Sequence, residues 1–230
     1  MTTIPGNLQH VRARIATACQ RAGRGVEEVT LLAVSKTFGA EAVRAAAAAG
    51  QRAFGENYVQ EGIDKIAQLR DLGLMWHCIG PIQSNKTRLV AEHFDWVHTV
   101  DRLKIAERLS AQRPADRPPL NVCIQVNIDG GANKSGVAPG EALALARAVA
   151  ALPQLKLRGL MSIPEIAPDF EAARAVHASA RALFDQLNAD GLGLDTLSMG
   201  MSDDLEAAIA AGSTMVRVGT AIFGSRAPKP

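Results

Sequence analysis

Lys36 stands directly after an apolar run, Leu31–Ser35, that suits a buried strand. Enzymes built on α/β barrels place their chemistry at the carboxyl ends of the strands, so a lysine at this position has two interpretations. Its ammonium group can extend from the rim into water. Alternatively, burial lowers its pKa and leaves a neutral amine that can form a Schiff base. The position of Lys36 alone does not decide between them.

Small and hydroxyl-bearing residues mark two segments near the end of the chain, with Ser198 and Gly200 in the first and Gly219 and Thr220 in the second. Such residues let backbone N–H groups and hydroxyls approach a phosphate closely. An acidic pair beginning at Asp203 would repel an anion on the first turn of the next helix. We therefore expect the phosphate on Ser198 and on the Gly219–Thr220 backbone. The alternative is that all four are ordinary helix caps and turn residues.

Arg217 lies inside the last apolar run, where side chains alternate between the barrel interior and the helix layer. A buried arginine stays charged and needs an acceptor. That acceptor is either a core carboxylate or an atom of a bound heterocycle. His77 and His98 occupy separate strands without carboxylates at ligand spacing, so we expect structural roles for them and no metal site.

The segments that position these residues alternate between strand-like and helix-like patterns. Eight apolar runs read as parallel strands: Thr30–Ser35, Arg52–Gly55, Met75–Gly80, Trp96–Val100, Asn121–Ile128, Leu157–Ile163, Thr196–Met199 and Met215–Val218. Helical stretches are predicted near 40–49, 57–71, 84–93, 102–112, 139–151, 169–188 and 202–211, after an N-terminal helix near 5–23. Eight units favour a closed (β/α)₈ TIM barrel, whereas losing the weak run at 52–55 would favour an open doubly wound sheet.

Composition places the chain in a broad class. We predict one domain over residues 1–230, since barrels of this length fold as single units. A formal net charge of +2 gives no reason to expect a nucleic-acid partner, and no apolar stretch is long enough for a membrane span. Three widely spaced cysteines form no disulfide framework, which indicates a cytoplasmic protein.

Several linked motifs, spread over residues 30–224, resemble the pyridoxal phosphate homeostasis proteins, also called the proline synthetase co-transcribed family. They are Phe54–Glu61, Trp76–Gly80, Gln83–Lys86, Arg158–Pro164, Leu197–Ser202 and Arg217–Gly224. The chain departs from the family pattern at Cys78 and at Pro81–Ile82, which concerns the shape of one strand-end loop. The family is similar to the barrel domain of alanine racemase without its second, β-rich domain.

The resemblance implies a role for each residue of the predicted site. Lys36 would carry pyridoxal 5′-phosphate as a Schiff base. The phosphate would lie on Ser198, Gly219 and Thr220, and Arg217 would face the pyridine nitrogen. Asn57 would lie beside the ring, and Met161 would supply part of an apolar wall.

The same resemblance favours a carrier of the cofactor over an enzyme. A cationic Arg217 leaves the ring nitrogen unprotonated and weakens carbanion stabilisation. Racemisation also needs a group on each face of the substrate, and in racemases the second one is a tyrosine from the missing domain. Tyr58 is the only tyrosine here, and we expect a buried structural ring, with catalysis or contact with the cofactor as the alternative. The carrier would buffer free cofactor and pass it to apo-enzymes.

Handover requires attack by another amine, for which Lys134 is a candidate, although a solvated loop lysine is the simpler interpretation. Without the second racemase domain, a monomer is expected. Two alternatives stay open, a low-activity amino-acid racemase with the same site and a barrel aldolase with a Schiff-base lysine.

Overall fold

Eight parallel strands close into a barrel in the computed structural model, which describes residues 3–131 and 135–225. The strands pair in sequence order, and β8 pairs back onto β1. They are β1 (Thr30–Val34), β2 (Ala53–Glu56), β3 (Met75–Cys78), β4 (Trp96–Val100), β5 (Leu120–Gln125), β6 (Leu155–Met161), β7 (Thr196–Ser198) and β8 (Met215–Val218). The prediction of a closed barrel is confirmed. The weak run at 52–55 is a true strand, paired with β1 and β3.

Helices follow the strands and form the outer layer. They are α1 (Ile4–Arg21), α2 (Ala40–Ala48), α3 (Val59–Gln68), α4 (Thr87–His93), α5 (Leu103–Gln112), α6 (Ala142–Ala150), α7 (Phe170–Ala189), α8 (Leu205–Ala210) and α9 (Thr220–Phe223). Short 3₁₀ turns precede α4 and α6. No helix in the described part of the chain is both long and apolar enough to cross a bilayer.

Several strand ends differ from the sequence predictions. Strand β5 ends at Gln125 rather than Ile128: the Val126 N–H still donates to the Met161 carbonyl at 2.9 Å, but Val126 also bridges Val137 in the following loop. Helix α8 begins at Leu205, three residues later than its apolar pattern suggests, and the preceding residues form a turn capped by Asp204. The predicted N-terminal helix is confirmed within two residues at each end.

Helix α1 lies across the joint between the last and first strand–helix units. Its apolar stripe of Leu8, Val11, Ile15 and Cys19 is buried, as the helical spacing predicts. Arg14 forms a two-pronged ion pair with Glu206 on α8, with a shortest N···O distance of 2.7 Å. The helix therefore lies beside the joint between β8, which carries Arg217, and β1, which is followed by Lys36.

The barrel interior is divided between apolar and polar side chains. Leu32, Val34, Ile79 and Met215 pack together on one side, and Trp96, Cys123 and Met161 pack together on the other. A hydrogen-bonded row of polar side chains also crosses the barrel, formed by His77, His98, Ser198 and Arg217. All four are less than 5% exposed, so every polar group in the row depends on a partner inside the protein.

Candidate functional site

A cavity of about 240 Å³ opens at the carboxyl end of the barrel, next to the joint between β1 and β8. Five of the residues selected from the sequence line it: Lys36, Asn57, Arg217, Gly219 and Thr220. They come from the ends of three different strands, so only barrel closure brings them together. The remaining lining residues are Val34, Phe38, Ile79, Ile163, Met201, Ser202, Asp203 and Gly224.

Lys36 enters this cavity from the segment just after β1. It is half-buried, whereas Ser35 before it is fully buried and Thr37 after it is exposed. The Ser35 N–H donates to the Gly55 carbonyl at 3.0 Å, which continues the β1–β2 ladder up to the lysine. The strand therefore fixes where the Lys36 side chain begins.

Gly219 and Thr220 form the opposite wall, where β8 passes into α9. A Cβ atom on Gly219 would lie 3.2 Å from the Val34 carbonyl oxygen, so a larger residue would press on the end of β1. Ser202 lies beside this turn, with its Oγ accepting from the Ala221 N–H at 3.4 Å. This wall presents two hydroxyls and backbone N–H groups, a donor set suited to a phosphate.

Ser198 and Gly200 are placed away from the cavity lining. Ser198 is fully buried, and its Oγ lies 2.8 Å from Arg217 Nη1 and 2.9 Å from His98 Nδ1. The Gly200 carbonyl accepts from the Arg217 N–H at 2.9 Å. Both residues therefore support Arg217, and the hydroxyl of this segment that reaches the cavity belongs to Ser202.

Sequence reasoning missed Ser202 because it assigned the phosphate to the end of the strand itself. The last residue of a barrel strand with an inward side chain lies inside the packed core, and the following loop forms the mouth. The sequence contained one usable signal, since Ser202 stands immediately before the acidic helix start that was recognised.

Asp203 and Asp204 have separate roles. Asp204 does not line the cavity: it precedes α8, with its Oδ1 accepting from the Met201 N–H at 2.6 Å and its Oδ2 lying 2.9 Å from His177 Nε2. Burial alone would raise the pKa of Asp204, but these two hydrogen bonds lower it overall. Asp203 stays on the cavity lining. Its negative charge favours a phosphate position on the Thr220 side.

Arg217 supplies the positive charge at the floor of the cavity. Its Nη1 donates to Ser198 Oγ and its Nη2 donates to the Ser162 carbonyl at 2.9 Å. Both acceptors are neutral, so the core carboxylate considered as one alternative is not what holds this side chain. Burial lowers the pKa of Arg217 to about 10, which leaves it cationic at neutral pH.

His77 and His98 continue the row behind Arg217. His77 Nδ1 lies 2.9 Å from His98 Nε2, and His98 Nδ1 faces Ser198 Oγ. Burial lowers the pKa of His77 to about 3, and burial together with the neighbouring charges lowers that of His98 well below its usual value. Both rings are therefore neutral. In residues 3–131 and 135–225 no group of His, Cys, Asp and Glu side chains could hold a metal ion.

The remaining predicted residues take several places. Met161 packs against Trp96 and Cys123 inside the barrel, and Ile79 and Ile163 form the apolar cavity wall instead. The expectation of a buried ring for Tyr58 is wrong: it is 58% exposed, because it precedes α3 and points outward. Cys78, where the chain departs from the family motif, is buried. Lys134 lies outside the described residues.

Comparison with known proteins identifies the family. A family model described as "Alanine racemase, N-terminal domain" matches residues 6–227. The chain belongs to this family. It is 63% identical to the pyridoxal phosphate homeostasis protein of Pseudomonas aeruginosa over 226 residues, covering 98% of this chain and 97% of the relative. It is 59% identical to the protein of the same name from Escherichia coli K12 over 233 residues, covering 98% of each chain.

Family membership extends to a solved structure. PipY of Synechococcus elongatus PCC7942 with pyridoxal phosphate (PLP) bound matches with a TM-score of 0.80 and 41% identity, covering 91% of this chain and all of that one. The family resemblance expected from the motifs is therefore confirmed, and so is the barrel fold.

The residues present at the cavity fit this cofactor. The Asn57 Oδ1 atom is buried without a hydrogen-bond partner in the described part of the chain, although Asn57 lines the cavity. A buried amide oxygen of this kind needs a hydrogen-bond donor from a bound molecule or from water. Around the same space, Lys36 supplies an amine and Arg217 supplies a cation. The wall formed by Ser202, Gly219 and Thr220 supplies hydrogen-bond donors for a phosphate.

Proposed function

We propose that this protein binds pyridoxal 5′-phosphate in the cavity between β1 and β8 and serves vitamin B6 homeostasis as a reversible carrier. The observation that carries the proposal is the convergence of Lys36, Arg217 and Thr220 on one cavity in a chain of this family. The high identity to relatives named pyridoxal phosphate homeostasis proteins supports it. When bound, the cofactor supplies an aldehyde that condenses with a primary amine and releases water.

Each residue has a distinct task in this proposal. Lys36 provides the amine that binds the aldehyde covalently as a Schiff base. Thr220, Gly219 and Ser202 bind the phosphate, and Asn57 lies beside the ring. Arg217 faces the ring nitrogen.

Two residues of the sequence prediction act indirectly in the proposal. Ser198 accepts a hydrogen bond from the Arg217 guanidinium, and Gly200 accepts one from the Arg217 backbone. Together they hold that side chain under the ring. We therefore expect their substitution to change the position of the Arg217 side chain and to affect phosphate binding only indirectly.

The charge on Arg217 supports a carrier over a catalyst. A guanidinium that stays cationic gives the ring nitrogen no proton, and the ring then withdraws electrons weakly. The two histidines behind Arg217 are neutral and hydrogen-bonded within the row. We infer buffering and delivery to apo-enzymes, by a monomeric cytoplasmic protein with one cofactor-binding domain. The three cysteines, all buried free thiols, agree with a reducing compartment.

Covalent trapping tests this proposal. The purified protein, mixed with pyridoxal phosphate, is expected to develop visible absorbance that borohydride abolishes, with the label mapped to the peptide containing Lys36. Lys36→Ala is expected to lose the label, and Lys104→Ala, which changes an exposed lysine on α5, is expected to keep it. An equal label in Lys36→Ala would refute the assignment.

Two further assays separate the alternatives left open by the sequence. Incubation with one enantiomer of alanine, followed by chiral chromatography, is expected to give no racemisation above a protein-free control containing pyridoxal phosphate. An aldolase would ignore pyridoxal phosphate and be trapped by borohydride with a sugar phosphate instead.

A further inference from the structure

Lys36 lies in a turn that is held from outside the cavity by an ion cluster, defined here as the buried Glu56 and Lys65 and the partly exposed Glu61. Lys65 is 4% exposed, and its Nζ donates to Glu56 Oε1 at 2.8 Å and to Glu61 Oε1 at 2.7 Å. The cluster faces away from the cavity that holds the proposed cofactor, and none of its three members lines that cavity. Its function is therefore not explained by direct contact with a ligand there.

The cluster contacts the residues on both sides of Lys36. Before the lysine, the Ser35 carbonyl accepts from Lys65 Nζ at 2.8 Å, and the Ser35 hydroxyl donates to Glu56 Oε1 at 2.5 Å. After the lysine, the Thr37 N–H donates to Glu61 Oε1 at 2.6 Å. One connected set of charged side chains thus forms hydrogen bonds with the backbone directly before and directly after the proposed covalent site.

The backbone conformation of Thr37 explains why these hydrogen bonds are needed. In the described ranges it is the only residue other than glycine with a positive φ, 69°. A β-branched residue in this left-handed region is strained and stays there only when surrounding contacts hold it. The hydrogen bond to Glu61 is the contact made by the strained peptide itself.

The sequence builds this cluster from one short segment. Glu56 ends β2, and Glu61 and Lys65 lie one helical turn apart on α3, so both face the same way. Gly62 allows the helix to approach: a Cβ there would lie 2.6 Å from Phe94 Cζ and 3.3 Å from the Cβ of Glu56. The close approach brings the Lys65 amine to the end of β1.

We propose that Glu61 and Lys65 are positioning residues for Lys36, which hold its backbone so that the amine enters the cavity in a reactive orientation. This inference rests on the proposed function, because it assumes that Lys36 is the covalent site. Prior orientation accelerates a condensation without contributing to the affinity for the rest of the ligand. The cluster should therefore affect covalent capture and leave noncovalent recognition of the phosphate and ring unchanged.

Substitution of Glu61 tests the positioning role, because this member of the cluster is partly exposed and its loss spares the buried Glu56–Lys65 pair. The covalent readout is the rate of visible absorbance on mixing with pyridoxal 5′-phosphate. The noncovalent readout is the dissociation constant of pyridoxine 5′-phosphate, which lacks the aldehyde, by calorimetry. Glu61→Ala is expected to slow capture about ten- to a hundredfold and to leave the pyridoxine phosphate constant within about twofold.

A conservative variant and a distant control complete the experiment. Glu61→Gln keeps an oxygen that can accept the Thr37 N–H, so its capture rate is expected to return most of the way to wild type. Glu171→Ala removes an exposed glutamate that pairs with Arg174 on α7, and it is expected to change neither readout.

The outcomes separate this inference from the proposed function. Wild-type capture by Glu61→Ala, or an equal loss of both readouts, would overturn the positioning role alone. Failure of Glu61→Gln to exceed the alanine variant would overturn it as well. A wild-type protein without a borohydride-stable label on Lys36 would overturn both proposals together.

Discussion

Ser198 and Ser202 are four residues apart and have different surroundings. The Ser198 hydroxyl is buried between Arg217 and His98, whereas Ser202 lines the cavity beside Thr220. A hydroxyl that binds a phosphate oxygen contributes to ligand affinity, and a hydroxyl that binds a buried guanidinium contributes to the stability of the fold. The two serines should therefore respond differently to the same substitution.

Ser202→Ala is expected to raise the dissociation constant of pyridoxine 5′-phosphate by about tenfold, because a hydrogen bond to a charged group contributes roughly 1.5–3 kcal/mol. Ser198→Ala is expected to lower the free energy of unfolding by roughly 1–3 kcal/mol, since a donor on Arg217 loses its buried acceptor. Calorimetry and urea unfolding measure the two effects. Ser179→Ala, on an exposed face of α7, is the control for both. An affinity loss in Ser198→Ala with none in Ser202→Ala would instead support Ser198 as the phosphate ligand.

His77 makes the fold sensitive to acid. Burial holds its pKa at about 3 in the folded state, against an ordinary value of 6.5, so the unfolded chain binds more protons below pH 6.5. Stability is then fully present above pH 6.5 and is lost as the pH falls towards 3. At pH 5 the protonation of this one residue in the unfolded chain lowers the free energy of unfolding by about 2 kcal/mol.

His77→Phe preserves the ring that stacks on Trp96, whose centroid lies 5.1 Å away, and removes the titrating group. The variant is expected to lose about 2 kcal/mol less than the wild type between pH 7 and pH 5. Urea unfolding at both pH values measures this difference. His10→Phe, at an exposed position of α1, is the matched control. Equal acid sensitivity in all three proteins would show that His77 is not the group responsible.

At the scale of elements, α3 connects stability to the proposed site through the Glu56–Lys65 ion pair. Glu56 is fully buried, and burial raises its pKa even though Lys65 opposes the shift. A buried carboxylate that loses its partner is costly, because neither water nor another cation replaces it. The ion pair between Arg44 of α2 and Asp71 is exposed, so either partner can be solvated by water if the other is removed.

Lys65→Met is expected to lower the free energy of unfolding by about 3–5 kcal/mol at pH 8. Arg44→Met should cost far less, because both members of this exposed pair stay in contact with water. Removing Lys65 raises the pKa of Glu56 further above its unfolded value. Below that unfolded value the carboxyl is neutral in both states, so the cost of the substitution shrinks as the pH falls towards 4. Chemical unfolding of both variants at pH 8 and pH 4.5 checks the size and the sign, and a cost independent of pH would contradict this account.

The elements themselves were largely predictable, and their mutual placement was not. Apolar runs reveal strands such as β4, which is buried at every position and is therefore apolar along most of its length, whereas β2 left only a weak run. Helix α9 has four residues and no periodicity to detect. The row from Arg217 to His77 depends on how four strands are staggered around the barrel, and that stagger is not encoded in any one segment. The prediction of a buried ring for Tyr58 was wrong for a different reason: the direction of its side chain depends on the residue at which α3 begins.

At the scale of the whole molecule, α1 packs against α2, α8 and α9, the helices on either side of the joint at which β8 pairs with β1. Its buried Leu8 packs into the core beneath the joint between the first and last units, and Arg24 donates to the carbonyls of Ile209 and Ser213 at 3.0 and 2.8 Å. The helix does not line the cavity in the described part of the chain. It should therefore govern barrel stability without altering the affinity for the ligand.

Leu8→Ala is expected to lower the free energy of unfolding by about 2–5 kcal/mol, because the buried leucine leaves a cavity in a packed core. Leu103→Ala, at a position 38% exposed on α5, should cost less. Saturating pyridoxine 5′-phosphate should add the same increment of stability to the wild type and to Leu8→Ala, since binding stabilises only through its own affinity for the folded state. Thermal unfolding with and without ligand measures both quantities. A barrel that stays folded after a separate early melting of α1 would contradict this prediction, because it would show that the β1–β8 pairing closes the barrel without the helix.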